Sequence, residues 1–225
     1  MNLKELAAAK AVEMVRDGMV LGLGTGSTAG YAIEMLGERL RVGSLRDVGG
    51  VPTSGGSEEL AMRVGIPLTT LDQHPVLDLT IDGADEVGPD LVLIKGQGGA
   101  LLREKIVARA SRREVIVVDR SKLVEVLGTK APLAVEVIRF GWNTLLDTLR
   151  RLGGEPTLRM QGADPYVTDE GNYILDCHFE GIDEPAVLER ELNLIPGVVE
   201  NGLFVGLASL VLVASESGVR ELRPR

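Results

Sequence analysis

The stretch MVLGLGTGSTAGYAIEMLGERL, residues 19–40, decides the fold. It opens with a short apolar run from Met19 to Leu23, which leads into a glycine-rich turn. A helix-like segment then extends from about Ser27 to Leu40. A strand, a glycine turn and a helix in this order open a βαβ unit. The sequence therefore predicts a protein of the α/β class.

The same alternation of apolar runs and helix-like segments continues to about residue 130. Strand-like residues 45–51 precede the loop PTSGGS and the helix-like SEELAMRVG, and residues 91–94 precede KGQGG and the helix ALLREKIVARA. The run EVIVV, residues 114–118, is typical of a buried strand. Strands that alternate with helices form a mostly parallel sheet that helices cover on both faces. We therefore predict such a sheet for this part of the chain.

After about residue 130 the predicted elements follow a different order. The first predicted elements are a strand at 133–138, a helix at 142–152 and a strand at 157–160. A hairpin then joins 166–168 to 173–178 through DEGN. A helix at 184–194 and the strand-like residues 198–200 follow. Apart from the short run 166–168, this is the βαββαβ order of the split-βαβ, or ferredoxin-like, unit. The last stretch, GLFVGLASLVLVAS, contains two more strand-like runs that could return to the first sheet. We therefore predict two domains. Residues 1–129 and 203–225 form the first, which contains the parallel sheet, and residues 130–202 form the second, which is inserted into it.

Composition and charge argue against several classes of protein. With 24 basic and 33 acidic residues the net charge is −9, which argues against a general nucleic-acid or anionic-membrane surface. No apolar run reaches the roughly 18–20 residues that span a bilayer, so we expect no membrane segment. Residues 3–17 predict an amphipathic helix, ended by Gly18, rather than a signal peptide. Because the single cysteine, Cys177, cannot form an internal disulfide, we expect a reducing, cytoplasmic location.

The glycine turn GLGTGSTA, residues 22–29, is a candidate phosphate cradle. Backbone N–H groups at a helix N-terminus point toward the ligand, and the helix dipole adds roughly half a positive charge. Ser27 and Thr28 add hydroxyl donors, and Ser27 could also cap the helix. The turn matches the dinucleotide-binding pattern G-x-G-x-x-A, but the acidic residue expected about twenty residues later is absent. The turn also lacks the lysine that follows the last glycine in the phosphate-binding Walker motif. A tight turn with a capped helix is the alternative interpretation.

Three further clusters follow predicted strands. The sequence IDGADE, residues 81–86, places three carboxylates within five positions, where they repel one another unless a metal, a sugar hydroxyl or a proton intervenes. Lys95 ends a strand before the glycines of KGQGG. Glu104 lies one helical turn into the next helix, where a carboxylate could remove a carbon-bound proton. Lys122 in DRSK could bind phosphate as a point charge. Each cluster alone is also explained as an ordinary surface turn or helix face.

Together these clusters indicate one site. The strand ends near residues 22, 82, 95 and 120 are expected to face one edge of the parallel sheet, where open α/β sheets bind ligands. The two histidines are isolated, and the sequence has no His/Cys cluster with the spacing of a zinc site. We therefore expect acid–base chemistry on a small phosphorylated, hydroxyl-rich molecule, without a zinc site.

These motifs, taken in order, resemble the type A family of ribose-5-phosphate isomerases over essentially the whole chain. The matching blocks are GLGTGSTA, VPTS with SEELA, IDGADEV, LIKGQGGALLREKI, DRSK, PLAVEVI, YVTDEGNYILD and IPGVVENGLF. The resemblance implies a Rossmann-like domain with an inserted ferredoxin-like α+β domain. It also implies interconversion of D-ribose 5-phosphate and D-ribulose 5-phosphate in the non-oxidative pentose phosphate pathway. The resemblance further implies a homo-oligomer, a dimer or larger, that uses no metal or organic cofactor.

The resemblance assigns roles to residues of these blocks. Glu104 would be the proton acceptor of a reaction through a cis-enediolate, and the other catalytic residues would be Asp82, Asp85 and Lys95. The substrate-binding residues would be Thr25, Gly26, Ser27, Thr28, Asp82, Gly83, Ala84, Asp85, Lys95, Gly96, Gln97, Gly98 and Lys122. Gln97 stands where other members carry a third glycine, which could narrow the pocket locally.

Other functions stay open at this point. Glucosamine-6-phosphate deaminases have a similar architecture and release ammonia. Sugar-phosphate sensor domains of some repressors are also similar, but they need a DNA-binding helix-turn-helix, whereas this chain starts on the first helix of the α/β domain. A metal-dependent phosphatase that uses Asp82 and Asp85 would need Mg²⁺ and release inorganic phosphate. The missing acidic residue disfavours an NAD enzyme.

Overall fold

A computed structural model describes residues 2–224, and the chain divides there into two compact units. The first unit comprises the residues up to Ala84, Arg103–Lys122 and the residues from Gly206 onward; the second comprises Asp85–Leu102 and Leu123–Val205. The structure therefore groups 85–102 and 123–129 with the inserted part of the chain. The predicted domain boundaries, 1–129 with 203–225 and 130–202, stay a prediction.

The helices and strands follow in chain order. The helices are α1 (Leu3–Val12), α2 (Ser27–Arg41), α3 (Gly55–Arg63), α4 (Leu101–Ala110), α5 (Leu146–Arg151) and α6 (Pro185–Asn193). The strands are β1 (Val20–Leu23), β2 (Gly49–Pro52), β3 (Leu79–Asp82), β4 (Glu86–Val87), β5 (Leu93–Ile94), β6 (Glu114–Asp119), β7 (Leu133–Val137), β8 (Glu155–Leu158), β9 (Met160–Gln161), β10 (Asp164–Pro165), β11 (Tyr173–His178), β12 (Val198–Asn201), β13 (Leu203–Phe204), β14 (Ala208–Ser215) and β15 (Gly218–Leu222). Short 3-10 turns lie at Pro89–Leu91, Arg120–Lys122 and Trp142–Leu145.

The first unit contains a six-stranded sheet with the strand order β15-β14-β6-β3-β1-β2. Neighbouring strands pair in parallel except β15, which is the antiparallel edge strand beside β14. The prediction of a mostly parallel sheet is therefore confirmed. The winding direction reverses between β1 and β3, because β2 is added on one side of β1 and the later strands on the other. Ligands of doubly wound sheets bind at the carboxyl ends of the strands at this reversal.

Helices pack on both faces of this sheet, because successive side chains of a strand point to opposite faces. Leu21 and Leu23 of β1 belong to a core cluster that also contains the buried alanines of α1. Gly22 faces the other way, and a Cβ there would overlap the side chains of Thr80 and Val107. Since Val107 belongs to α4, glycine in β1 lets this helix approach the sheet closely.

The second unit contains a four-stranded antiparallel sheet in the order β12-β7-β11-β8. The four strands of this sheet and the helices α5 and α6 follow along the chain as β7, α5, β8, β11, α6 and β12, which confirms the predicted βαββαβ order. The core of this unit includes the fully buried Val135, Leu175, Cys177 and Leu192. A three-stranded sheet, β13-β5-β4, belongs to the same unit.

The first helix is shorter than predicted. Residues 3–17 have a helical pattern, but α1 ends at Val12 and the residues up to Gly18 form turns and irregular backbone. The Arg16 guanidinium donates a hydrogen bond to the Glu13 carbonyl. This bond occupies a carbonyl that a longer helix would use internally.

Two predicted strand arrangements are wrong. Residues 173–178 form β11, but this strand pairs with β7 and β8 and not with 166–168. The hairpin before β11 is formed instead by β9 and β10. The strand before Lys95, β5, pairs with β4 and β13 and is not part of the parallel sheet. The turn at Pro89–Leu91 brings β4 and β5 side by side, which supplies a local partner. Lys95 therefore does not end a strand of the parallel sheet.

None of the helices formed by residues 2–224 has both the length and the apolar character needed to cross a membrane.

Candidate active site

The glycine turn joins the end of β1 to the end of β3 in the first unit. Gly24 donates its N–H to the Ile81 carbonyl, and Thr25 donates its N–H to Asp82 Oδ1, both at 3.0 Å. A Cβ on Gly24 would lie 2.5 Å from Asp82 Cα, so a larger residue would force β3 to move. Because β1 and β3 are the strands at which the winding reverses, the turn lies at the ligand-binding edge of the sheet. The structure thus brings together two of the predicted motifs, the turn and the start of DGAD.

The N-terminus of α2 follows this turn without a capping side chain. Gly26 is the N-cap residue, with a φ of 96°, and no acidic residue occupies the first turn of the helix. The prediction that Ser27 caps the helix is wrong, because Ser27 is already the first helical residue. The first N–H groups of a helix have no intrahelical partner and carry partial positive charge. This end of α2, with the exposed Ser27 and the half-buried Thr28, can therefore bind an anion.

Two lysines add positive charge to this region of the first unit. Lys4 in α1 donates from Nζ to Ser27 Oγ at 2.8 Å. Burial alone raises the pKa of Asp119, but hydrogen bonds from Ser121 and the charges of Lys122 and Lys4 together hold that pKa below its ordinary value. The charges of Lys122 and Lys4 therefore both lie close enough to the Asp119 carboxylate to lower its pKa. Lys122 was predicted as a site residue, whereas sequence reasoning missed Lys4.

Buried hydroxyl groups surround the side chain of Thr25. Thr25 Oγ1 lies 2.7 Å from Thr53 Oγ1 and 2.8 Å from Ser54 Oγ. Thr53 Oγ1 also lies 3.0 Å from the Leu23 carbonyl oxygen. Thr53 and Ser54 follow β2 and are buried, and a cavity of about 120 Å³ is lined in part by Ser54 and the glycine turn. The VPTS block therefore supports the turn, a role that the sequence pattern did not reveal.

Two predicted catalytic carboxylates of the first unit are buried. Asp82 ends β3, and its Oδ1 accepts hydrogen bonds from the Thr25 and Gly83 N–H groups at 3.0 and 2.7 Å. Glu104 is 4% exposed and lies in the first turn of α4. Val107, one turn later, packs on β1, as described above. Because the helix of a parallel crossover runs antiparallel to the strands, Glu104 lies toward the carboxyl ends of the strands.

The predicted residues 95–98, here called the Lys95 loop, belong to the second unit. Lys95 is 3% exposed, and its N–H donates to the Gly202 carbonyl at 2.9 Å. Its ammonium group lies 5.4 Å from the centre of the Phe204 ring, a distance at which a cation is attracted to the ring face. The amine therefore lies beside an aromatic ring of the second unit, on a residue that is almost fully buried.

Asp85 and the Lys95 loop are in direct contact. Asp85 Oδ2 accepts a hydrogen bond from the Gln97 N–H at 3.0 Å. Gly96 has a φ of 110°, in a region that favours glycine, so the turn before Gln97 depends on it. The exposed Gln97 donates from Nε2 to the Pro132 carbonyl at 3.3 Å. A narrowing of the pocket by Gln97 stays a prediction.

Glu86, the third carboxylate of the acidic motif, has a structural role. It is fully buried, and its Oε1 accepts from the N–H groups of Lys130 and Ala131 at 2.6 and 2.7 Å. Its Oε2 accepts from the Gly128 N–H at 2.7 Å. The carboxylate thus fixes the backbone of residues 128–131.

The predicted residues coincide neither with a metal-binding cluster among residues 2–224 nor with the cavity of about 680 Å³ in the first unit. Among residues 2–224, no group of three or more His, Cys, Asp or Glu side chains is arranged to hold a metal ion. A cavity of about 680 Å³ in the first unit is lined by residues such as Pro52, Asp72, Arg103 and Ile106. None of the predicted site residues lines it.

The doubly wound sheet and the uncapped, positively polarised helix end are the features of α/β proteins that bind small phosphorylated molecules. The family model for ribose 5-phosphate isomerase A (phosphoriboisomerase A) matches residues 49–218. The chain belongs to this ribose-5-phosphate isomerase A family.

Individual relatives and solved structures agree with that assignment. Ribose-5-phosphate isomerase A of Gloeobacter violaceus is 57% identical over 99% of this chain and 96% of its own length. A solved D-ribose-5-phosphate isomerase in complex with phospho-erythronic acid has a TM-score of 0.96 and 43% identity, covering 99% of this chain and 100% of that one. Ribose 5-phosphate isomerase A of Methanocaldococcus jannaschii has a TM-score of 0.93 and 46% identity, covering 98% of each chain.

Proposed function

We propose that this chain is an aldose–ketose isomerase that interconverts D-ribose 5-phosphate and D-ribulose 5-phosphate. The observation that carries the proposal is the family membership, with 57% identity to one named isomerase over 99% of the chain. The geometry of the first unit supports it. A sugar phosphate needs an anion site, which the end of α2 offers, and a proton transfer between carbons needs a base, for which Glu104 is the candidate.

The glycine turn is our candidate for the phosphate subsite. Thr25, Gly26, Ser27 and Thr28 offer N–H and hydroxyl donors, and Lys4 and Lys122 offer charge. Asp82, Gly83 and Ala84 bind sugar hydroxyls in this proposal. Asp85 likewise binds sugar hydroxyls, and the loop of Lys95, Gly96, Gln97 and Gly98 lines the reacting end of the substrate.

The proposed chemistry is a proton transfer between neighbouring carbons. Asp85, together with Asp82, carries the proton that is exchanged when the furanose ring opens to the aldehyde. Glu104 then removes the C2 proton, the C2–H electron pair forms the C1=C2 bond, and negative charge moves to O1. Lys95 stabilises this cis-enediolate with its positive charge. Glu104 returns the proton to C1, the O2 proton moves to O1, and the C2 carbonyl of the ketose forms.

The test follows ribose 5-phosphate in D₂O with excess EDTA by NMR. We expect ribulose 5-phosphate to appear with deuterium at C1, because an enediolate route exchanges the transferred proton with solvent. Ammonia release from glucosamine 6-phosphate would support a deaminase, and phosphate release that needs Mg²⁺ would support a phosphatase. Binding of ribose 5-phosphate without turnover would support a sensor, and any of these results without isomerisation would contradict the proposal.

We also propose a cytoplasmic homo-oligomer, a dimer or larger, that acts in the non-oxidative pentose phosphate pathway. The single cysteine is free and buried, as in proteins of reducing compartments. Phe140 and Leu194 in the second unit are 90% and 76% exposed, and a second copy could cover such apolar side chains. Sedimentation should give a multiple of 24.0 kDa, whereas a species of 24.0 kDa alone would contradict the oligomer.

A further inference from the structure

Arg159 contacts the Lys95 loop, although it lies outside every motif considered above. It stands between β8 and β9 in the second unit. Its Nη1 donates hydrogen bonds to the carbonyls of Gly96 and Gln97 at 2.8 and 3.2 Å. The guanidinium therefore binds the two successive peptide groups that join Gly96 to Gln97 and Gln97 to Gly98.

Asp176 of β11 fixes the orientation of this guanidinium. Arg159 Nε donates to Asp176 Oδ2 at 2.9 Å, and Nη2 donates to Oδ1 at 2.5 Å. The Arg159 and Asp176 side chains are only 12% and 20% exposed, so solvent screens the pair weakly. A bidentate arginine–carboxylate pair has a defined plane. Nη1 is thereby directed to the loop carbonyls by a partner in the central part of the sheet.

Tyr166 completes the contact between this pair and the loop. The Arg159 guanidinium lies 5.8 Å from the centre of the Tyr166 ring. A Cβ on Gly99 would overlap the Tyr166 hydroxyl, so the ring lies directly on the backbone that follows the loop. The loop is therefore held on its carbonyl side by Arg159 and on its N–H side by the Asp85 carboxylate that binds the Gln97 N–H.

The two contacts are coupled by the geometry of the peptide bond. The C=O and N–H of a planar trans peptide point in opposite directions. Since Arg159 binds the Gly96 carbonyl, the N–H of the same peptide, that of Gln97, points away from Arg159, toward Asp85. By the same rule, binding of the Gln97 carbonyl turns the Gly98 N–H away from Arg159.

We propose that the Arg159–Asp176 pair positions the Lys95 loop for the isomerisation. Arg159 is a positioning residue: it orients the peptides that follow Lys95, so that the Gln97 N–H faces Asp85 and the Gly98 N–H faces the reacting end of the substrate. This inference rests on the proposed function, in which Lys95 stabilises the enediolate. A displacement of about 1 Å at such a group can cost about 10²-fold in rate.

Three variants test the proposal. Arg159→Met removes all the contacts, and Asp176→Asn weakens the pair but keeps its shape. Arg159→Lys keeps the positive charge. Its single ammonium group, however, cannot form a bidentate pair with Asp176 and also bind the loop carbonyls. Arg150→Met is the matched control, because Arg150 pairs with Asp147 and Glu155 on the surface of the same unit. Each variant is assayed for isomerisation and titrated calorimetrically with phospho-erythronic acid, which gives the fraction of competent sites, and with inorganic phosphate.

The expected result separates positioning from folding. For Arg159→Met we expect kcat per competent site to fall about 10²-fold, with a smaller fall for Arg159→Lys and Asp176→Asn. We expect weaker binding of phospho-erythronic acid with unchanged binding of inorganic phosphate, and no effect of Arg150→Met. A purely structural role would lower the number of competent sites but not kcat per site.

Two outcomes would overturn the inference. One is an unchanged kcat per competent site in the folded variants. The other is failure of all three variants to fold, which would make the pair a support of the fold alone. A wild-type protein without isomerase activity would instead contradict the proposed function, and this is measured before any variant is compared.

Discussion

At the residue scale, three carboxylates within five positions have three different environments. Asp82 accepts the N–H groups of Thr25 and Gly83, whereas Asp85 accepts that of Gln97 in the other unit. Glu86 is buried against the backbone of residues 128–131. The sequence predicts the cluster and its place after a strand. It cannot assign the roles, because each role depends on which backbone N–H groups the folded chain presents.

Glu86→Gln should destabilise the protein without acting on the chemistry. An amide places an NH₂ group where the carboxylate accepted backbone N–H groups, so one buried donor loses its acceptor. We expect a loss of about 1–3 kcal/mol in the free energy of unfolding, measured with urea. The control is Glu125→Gln, at an exposed position of the same unit, which should change stability little. Equal stability of the two variants would contradict the structural role.

Cys177 should be unreactive in the native protein. Burial raises the pKa of its thiol to about 12, so very little thiolate exists at pH 8, and the side chain is fully buried. We expect no reaction with a thiol reagent such as DTNB at pH 8, and reaction of one thiol per chain after unfolding in denaturant. Rapid labelling of the folded protein would show that this part of the second unit opens readily.

At the scale of elements, the N-terminus of α2 and the side chain of Lys4 in α1 form the proposed phosphate subsite. Lys4→Met should raise KM about tenfold and leave kcat nearly unchanged, because phosphate is bound equally in the ground and transition states. The rise in KM should shrink at high salt, where charge interactions are screened. Lys10→Met is the control, since Lys10 lies in the same helix and pairs with Glu13. A fall in kcat with constant KM would contradict this assignment.

The sequence predicts the strand–turn–helix at residues 19–40 because its signals are local: an apolar run, glycines and helical periodicity. It does not predict the participation of Lys4, which looks like any charge on an amphipathic helix until α1 packs beside α2. It also misplaces the strand before Lys95, because an apolar pair such as Leu93–Ile94 gives no information about its partner strand. Pairing is a long-range property.

At the scale of the whole molecule, one buried acid should make stability depend on pH. Glu136 is 1% exposed and accepts hydrogen bonds from Thr168 and Asn172, both at 2.9 Å. Burial raises its pKa above the ordinary value of 4.5, despite these hydrogen bonds. A raised folded pKa means that the contribution to stability is complete below the ordinary value and is lost as pH rises through the folded pKa.

Glu136→Gln should remove this pH dependence. The stability of the wild-type protein relative to the variant should fall as pH rises above 4.5 and should level off once the pH is above the raised folded pKa. Urea unfolding of both proteins in small pH steps measures the difference. A difference that stays constant across this window, or that grows in favour of the wild type, would contradict the sign of the shift.

The overall topology was more predictable than the pairing of individual strands. The alternation up to residue 130 predicts the parallel sheet, and the element order after it predicts the βαββαβ unit, since both depend on the order of elements alone. The contact between Arg159 and the Lys95 loop had no local signal, because the residues lie 62 and 63 positions apart in sequence. Only the folded second unit brings them together.

The most direct test of the central claim is the turnover of Glu104→Gln. Isomerisation of ribose 5-phosphate with EDTA present gives kcat, and calorimetric titration with phospho-erythronic acid gives the competent fraction and the affinity. We predict a fall in kcat of at least about 10²-fold with binding largely retained, because a positioned base typically contributes 10²–10⁴-fold. Glu59→Gln, at an exposed position of α3, should match the wild type. Near wild-type turnover by Glu104→Gln would contradict the claim that Glu104 transfers the proton.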